Sequence, residues 1–403
     1  MEAPKHDIVI AGGGPAGMMA GYLFARAGVR TLVLEKHADF LRDFRGDTVH
    51  PSTLDLFDEL GLLEGLLARP HDMVPNIGAI IAGREYRVAD FTHLPVRCKF
   101  VALMPQWEFL NYLAEQARRL PNFELRVEAE AVAIIEEEAR VVGLTLASGE
   151  AVHARLIIAA DGRGSILRKA AALPLEDLGA PMDIFWFRIP KPRAADNSTA
   201  AIFGAGGMVV LIDRGDYWQC ARVIAKGSAE IVREKGIAAF RTAIVAVAPR
   251  VAEGIEAIRD WDDVKLLSVS LDRLTRWHRP GLLAIGDAAH AMSPVGGVGI
   301  NLAIQDAVAA ANILAAPLAH GGNVDALLGK VQQRRLLPTR VVQGMQRIVH
   351  DRVIGASLRQ DIKQPPFVLR LFDALPLLQR IPARIVGLGV RREHIRSPVA
   401  PVA

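Results

Sequence analysis

Cysteine is nearly absent from this chain. Among 403 residues only Cys98 and Cys220 occur, with no metal-ligand spacing between them, which excludes a disulfide framework and a cysteine-based metal centre. Long apolar runs are missing too. The longest candidate, 300–318, is interrupted by Asn301, Gln305, Asp306 and Asn312, so it predicts a helix buried in protein rather than a transmembrane segment. The first strand pattern begins within a few residues of Met1, leaving no room for a secretory signal, and a cytoplasmic protein is expected. Charge of one sign is not in large excess: 48 basic against 44 acidic residues give a net charge of +4, and the basic residues are dispersed with no aromatic-interleaved stripe. Nucleic-acid binding is therefore not expected. Repeats and low-complexity tracts are absent as well. With 51% hydrophobic and 23% charged residues, the chain is long and apolar enough for two cores, which excludes disordered and fibrous classes.

What is present is glycine in two places that matter. Asp7 to Ala11 reads as a buried strand and runs directly into Gly12, Gly13, Gly14, Pro15, Ala16 and Gly17, after which 18–27 reads as a helix. In this strand-turn-helix setting Gly12 permits the tight turn, Gly14 the close approach of a pyrophosphate and Gly17 the packing of helix on strand. The next strand, Thr31 to Leu34, ends on Glu35, placed to accept hydrogen bonds from an adenosine ribose. The second place is 282–307, which reads as strand, acidic turn (Gly286, Asp287), glycine turn (Gly296, Gly297, Gly299) and an alanine-rich helix beginning near Ile300. Bare backbone at a helix N-terminus favours a negatively charged ligand edge, such as the N1 and O2 side of a reduced flavin.

Between these motifs the pattern changes twice. A helical run is expected over 52–67, short strands over 76–98, a helix over 105–120, a three-stranded meander over 124–150 and a sheet strand over 156–160. That strand ends in Asp161, Gly162, Arg163, Gly164 and Ser165, with Ser165 placed to cap a following helix. Residues 179–265 are strand-rich and read as an inserted sheet. The expected fold is α/β: a Rossmann-like domain, with a parallel sheet and meander, formed by 1–73, 99–178 and 266–340; an inserted β-sheet substrate domain from 74–98 and 179–265; and a C-terminal helical segment, 341–403. The stretch 367–390 alternates apolar clusters with Arg370, Arg380 and Arg384. A membrane-surface helix, a helix over the domain interface or a homodimer face would all show this pattern, and Pro376 and Pro382 break any long amphipathic face, which favours packing.

GGGPAG at 12–17, Glu35, Arg45 in FRGDTVHP, ADGRGS at 160–165 and GDAAHAMSP at 286–294 occur in one order. Together they resemble the single-component FAD-dependent aromatic hydroxylases of the p-hydroxybenzoate hydroxylase type, over almost the whole chain. The resemblance implies FAD as cofactor, NADPH or NADH as a transient co-substrate, and O2 delivered through a flavin C4a-hydroperoxide to an aromatic or polyketide-like molecule. It places Gly12, Gly14, Pro15, Ala16 and Gly17 at the pyrophosphate, Glu35 and Lys36 at the adenosine ribose, Arg45 and Gln106 at the phosphate and ribityl region, and Asp287, after Gly286, at the ribitol. Asp161 falls in a turn linked to FAD and nicotinamide, and Pro294, Gly297, Gly299, Ile300 and Asn301 line the isoalloxazine. No second GxGxxG and no CxxC pair occurs, unlike two-dinucleotide disulfide reductases. His50 is a candidate proton shuttle and Pro294 a second catalytic candidate, with the turn before a helix as the plainer role for His50. Phe185, Phe187 and Phe203 of the inserted sheet are expected to roof a substrate, and no metal is expected. A reductase or oxidase of the same fold, geranylgeranyl-reductase-like, and a non-catalytic flavin-binding protein stay open.

Overall fold

The computed structural model describes residues 5–41, 48–81, 83–192, 199–204, 207–359 and 367–401. Its main sheet is built on His6–Ala11, buried along its whole length as a strand covered on both faces must be. Thr31–Leu34 and then Phe123–Arg126 lie parallel on one side of it. Ala151–Ala159 and then Leu282–Ala284 lie parallel on the other, and His278–Arg279 closes that edge antiparallel. Helix Pro15–Arg26 follows the first strand so closely because Gly17 has no side chain: a Cβ there would lie 1.9 Å from the Gly12 carbonyl oxygen. Helix Gly299–Ala319 packs against it and against Asp325–Val349. Residues 295–319 are long and apolar enough to cross a bilayer, but 72% of the apolar 18-residue stretch within them is buried, and the helix is part of the core.

The meander differs from the expected one. Phe123–Arg126 belongs to the parallel sheet, and the meander is Ala131–Glu137, Arg140–Leu146 and the first part of Ala151–Ala159. This nine-residue strand pairs antiparallel with 140–146 through 151–153 and parallel with the first strand through 154–159, so a single strand serves both layers. The helical run over 52–67 is broken into Pro51–Glu59 and Leu63–Leu67 at Gly61, whose φ of +70° leaves the helical region.

The second sheet has seven strands in the order 265–267, 182–190, 217–225, 207–213, 200–204, 76–81, 84–90. All neighbours are antiparallel except Ala200–Gly204 and Asn76–Ile81, which meet in parallel because they come from separate insertions. Helix Ile237–Val247 and the 3-10 turns of Pro249–Ala257 cover one of its faces. The expected limit at 341 falls inside helix Asp325–Val349, which ends in a π-helical turn, His350–Ile354. After it, Phe367–Ala374 and Arg380–Gly387 pack on the edge strand Arg84–Asp90, and Ala400 N–H donates to the Arg26 carbonyl, 2.9 Å. The C-terminal segment is thus wrapped onto its own chain.

Candidate active site

The two glycine-bearing motifs meet in space. Gly286 has φ +59°, and a Cβ there would lie 3.0 Å from Ala16 Cβ and 3.2 Å from Ala303 Cβ, so the acidic turn nests between helices 15–26 and 299–319. Gly12, at φ +109°, leaves no room for a side chain beneath Ala160, whereas a Cβ on Gly14 would meet nothing within 4 Å. The strained glycine and the open one have different tasks: the first makes the turn, and the second leaves a space over the helix start. Neither helix has a side-chain cap or an acidic residue in its first turn. Uncapped first-turn N–H groups form a donor set suited to a pyrophosphate and to an anionic ring edge, and the fit to FAD is good on that ground.

Glu35 is buried, its Oε2 accepting from Gly13 N, 2.9 Å, and its Oε1 from His37 N, 3.0 Å. These bonds orient the carboxylate beside the glycine turn, at the end of the second strand. Glu35 N–H donates to the Arg126 carbonyl, 2.8 Å, and Ala129 N–H to the Glu35 carbonyl, 2.9 Å, tying this strand end to the segment that carries exposed Val127. Lys36 is exposed next to Glu35, and Gln106 is buried at the start of helix Gln106–Ala117. Arg45 lies outside the described residues.

Asp161 has a structural duty. Its carboxylate accepts from Ser165 Oγ, 2.6 Å, and Leu167 N, 3.2 Å, while Ser165 Oγ accepts from Arg168 N, 3.0 Å, fastening the start of Ile166–Ala170. Two residues on, Arg163 Nη2 lies 3.4 Å from Asp287 Oδ2, joining this turn to the acidic turn.

Asn301 is a clamp. Its Oδ1 accepts from His50 N, 2.9 Å, and Thr53 Oγ1, 2.7 Å, and its Nδ2 donates to the Thr48 and Gly297 carbonyls, both at 3.2 Å. Thr48 Oγ1 donates to the Gly297 carbonyl at 2.8 Å. The Asn301 amide is fully engaged with protein, so only the backbone of this turn is offered to a ligand. Pro294 is half-buried and its carbonyl accepts from Gly297 N, 3.0 Å; Gly299 and Ile300 form the helix start.

Two expectations are corrected here. The His50 ring has no exposed surface, and its Nδ1 lies 2.7 Å from the Val386 carbonyl, which can only accept; burial lowers the imidazole to about 4. A neutral, enclosed ring of this kind pins the loop to the C-terminal helix and is not placed to shuttle protons to a substrate. Phe185 and Phe187 lie on the covered face of the inserted sheet. Both meet Phe240, at ring distances of 5.5 and 5.6 Å, with Trp261 beside them. Strand alternation then turns Ile184 and Trp186 the other way, into an apolar cluster with Met208, Val210, Ala221 and Val223 that reaches Val295 of the glycine turn. Phe203, paired with Met208, lies on this inner face, against Tyr86 and Ile81. Trp186 Nε1 is buried without a hydrogen-bond partner among the described residues.

Behind the acidic turn lies a buried ionic relay. Asp306 is fully buried and accepts from Gly286 N, 3.1 Å, and Arg335 Nε, 2.9 Å, with His290 Nε2 at 2.6 Å. Burial alone would raise the carboxyl, but His290 and Arg335 outweigh it and hold Asp306 below its ordinary range. Arg335 Nη1 continues to Glu393, 3.3 Å. The signal was available: a lone carboxylate in an alanine-rich apolar helix needs a buried partner, though nothing local names Arg335.

This combination of a glycine-turn Rossmann sheet, an acid at the second strand end and a second glycine turn under an apolar sheet defines a flavin-dependent oxidoreductase. The chain belongs to the FAD binding domain family, which it matches over residues 5–345. It is 31% identical over 398 residues to 6-methylpretetramide 4-monooxygenase of Streptomyces rimosus, covering 97% of this chain and 94% of that protein. It is 28% identical to rifampicin monooxygenase of Streptomyces venezuelae over 75% of this chain, and spans 62% of that protein's length. In fold it superposes on p-nitrophenol 4-monooxygenase PnpA of Pseudomonas putida with a TM-score of 0.77 and 19% identity, covering 98% of this chain and 100% of PnpA. The protein is an FAD-dependent monooxygenase, and the reductase and non-catalytic readings give way to that.

Proposed function

We propose that the enzyme hydroxylates a fused-ring, polyketide-like aromatic, using O2 and NADPH or NADH. The balanced reaction converts substrate C–H, O2, reduced nicotinamide and a proton into substrate C–OH, water and oxidised nicotinamide. Bound FAD supplies the hydride acceptance and oxygen activation. The chain's residues bind, orient and exclude water. Gly12, Gly14, Pro15, Ala16 and Gly17 hold the pyrophosphate, Glu35 with Lys36 the ribose, Gln106 and Asp287 the ribityl region, and the backbone of Pro294, Gly297, Gly299, Ile300 and Asn301 the ring. Residues 1–73, 99–178 and 266–340 serve the cofactor, while 74–98 and 179–265 serve the substrate.

The observation that carries the substrate reading is the inner sheet face: Ile184, Ala221 and Val223 are buried there with Ile354, while half-buried Trp186, Met208 and Val210 continue the apolar face beside Val295. A wide apolar roof suits several fused rings, and Trp186 Nε1–H is a donor for one ring oxygen. The 6-methylpretetramide relative supports the same substrate class. The test mixes FAD-loaded enzyme with reduced nicotinamide and tetracyclic or single-ring phenols, measuring nicotinamide oxidation and 18O incorporation from 18O2. Tetracyclic compounds should stimulate oxidation and gain one labelled oxygen, and Trp186→Phe should raise KM about two- to tenfold, one hydrogen bond's worth. Equal or better turnover of single-ring phenols, or no labelled product, overturns the proposal.

A further inference from the structure

Large apolar side chains left in solvent are concentrated at one place. Phe367, Val368, Leu375, Leu377 and Ile381 are each 53–69% exposed and fall within fifteen residues of sequence. The two helices beneath them are seated to different depths: Ala383 and Leu388 are buried with Phe91, Leu94, Val101 and Leu103, whereas Phe367–Ala374 buries no residue fully and rests on the sheet through half-buried Leu369. A Cβ on Gly387 would lie 2.9 Å from Leu94 and from Phe91, so helix Arg380–Gly387 is pressed onto the protein. The part of the outward row that Arg380–Gly387 carries is therefore held in place by a firm support. Its exposed polar members are mostly cationic. Arg370, Arg380 and Arg384 are exposed, and the one acid among described residues 367–390, Asp373, is paired with Arg84. A second sign of positive charge comes from His93 nearby, whose imidazole is held below its ordinary range by burial and by Arg380, Arg384 and Lys99, against the opposing pull of Asp90.

We propose that this face, from Phe367 to Arg384, is a peripheral membrane-docking surface for a bilayer carrying anionic lipid. Apolar side chains enter the headgroup boundary while arginines meet lipid phosphates, the arrangement of an interfacial helix. Charge decides against a second copy of the chain as the occupant: a two-fold contact would set the arginine-rich faces against each other with no uncommitted acid among the described residues of the patch. A bilayer supplies the missing negative charge and the apolar medium together.

The experiment uses full-length, FAD-loaded enzyme in flotation assays with vesicles of phosphatidylcholine alone or with phosphatidylglycerol. Binding should appear with phosphatidylglycerol, weaken at high salt, and be nearly absent on phosphatidylcholine. Leu377→Ser with Ile381→Ser should abolish flotation, and Arg380→Gln with Arg384→Gln should lower the partition coefficient by about fivefold per charge removed. Neither pair should change nicotinamide oxidation in solution, which shows that the variants fold. No flotation of the wild type, equal binding to both vesicle types, flotation unaffected by either pair, or a dimer in sedimentation that the Leu377/Ile381 variant dissolves would each overturn the proposal.

Discussion

Gly14 and Gly297 should respond to the same substitution in opposite ways. At Gly297, with φ +61°, alanine would enter the left-handed region and place its Cβ 2.1 Å from Thr48 Oγ1 and 2.8 Å from Thr48 Cβ. The backbone term is about 1–2 kcal/mol, and displacing Thr48 forfeits its bond to the Gly297 carbonyl, about 0.5–1.5 kcal/mol more. Gly297→Ala should therefore destabilise the FAD-free protein by roughly 2–3 kcal/mol in urea unfolding and move the turn expected under the ring. FAD, still held at Gly12–Gly17 and Glu35, should stay bound, but product per nicotinamide consumed should fall as hydrogen peroxide rises. At Gly14 the backbone is ordinary for any residue, φ −72°, and a Cβ meets nothing. Gly14→Ala should leave FAD-free stability within about 0.5 kcal/mol while lowering FAD affinity at least tenfold, because the methyl group occupies pyrophosphate space. Adding Thr48→Ala to Gly297→Ala should recover part of the stability. If Gly297→Ala were as stable and as well coupled as wild type, or Gly14→Ala bound FAD normally, the assignment of the two turns would be refuted.

Asp306→Asn leaves Arg335 buried with only Glu393 as counter-charge; the loss should be about 3–5 kcal/mol in urea unfolding, with weaker FAD binding, and the double change Asp306→Leu with Arg335→Met should regain much of it. Wild-type stability in Asp306→Asn would show that the relay carries no net energy. His50 is neutral in the folded protein down to about pH 4 but protonates near 6.5 once unfolded. Its contribution is thus complete above pH 6.5 and is lost as pH falls toward 4, about 3 kcal/mol in all. Unfolding free energies at pH 7.5 and 4.5 should converge by that amount between wild type and His50→Asn, and an identical acid loss in the variant would contradict the burial argument.

The parts of this molecule written in local spacing were legible from sequence. Asp7 to Gly17, Glu35 and 282–300 form the expected strands, turns and helices because their signals are contained within one strand-turn-helix unit each. The four strands of 179–225 were legible for the same reason, but their facing was not: Phe185 and Trp186 differ by one position, and only the helix at 237–247, brought over one face by tertiary packing, decides which is covered. Gly61 splits a helix that apolar periodicity would continue. The His50–Val386 and Asp306–Arg335–Glu393 contacts join residues far apart in sequence, and no period or motif encodes such pairs.

The relay has a consequence for how the enzyme comes into being. Gly286 rests on Asp306, Asp306 on Arg335, and Arg335 on Glu393, so the floor of the cofactor site is completed by a residue synthesised more than a hundred positions after the motif it supports. Until that part of the chain has left the ribosome, Asp306 and Arg335 lack their full set of partners in a water-poor core. Removing residues 391–403 is accordingly expected to loosen the Gly286 turn, which that segment reaches through Arg335 and Asp306.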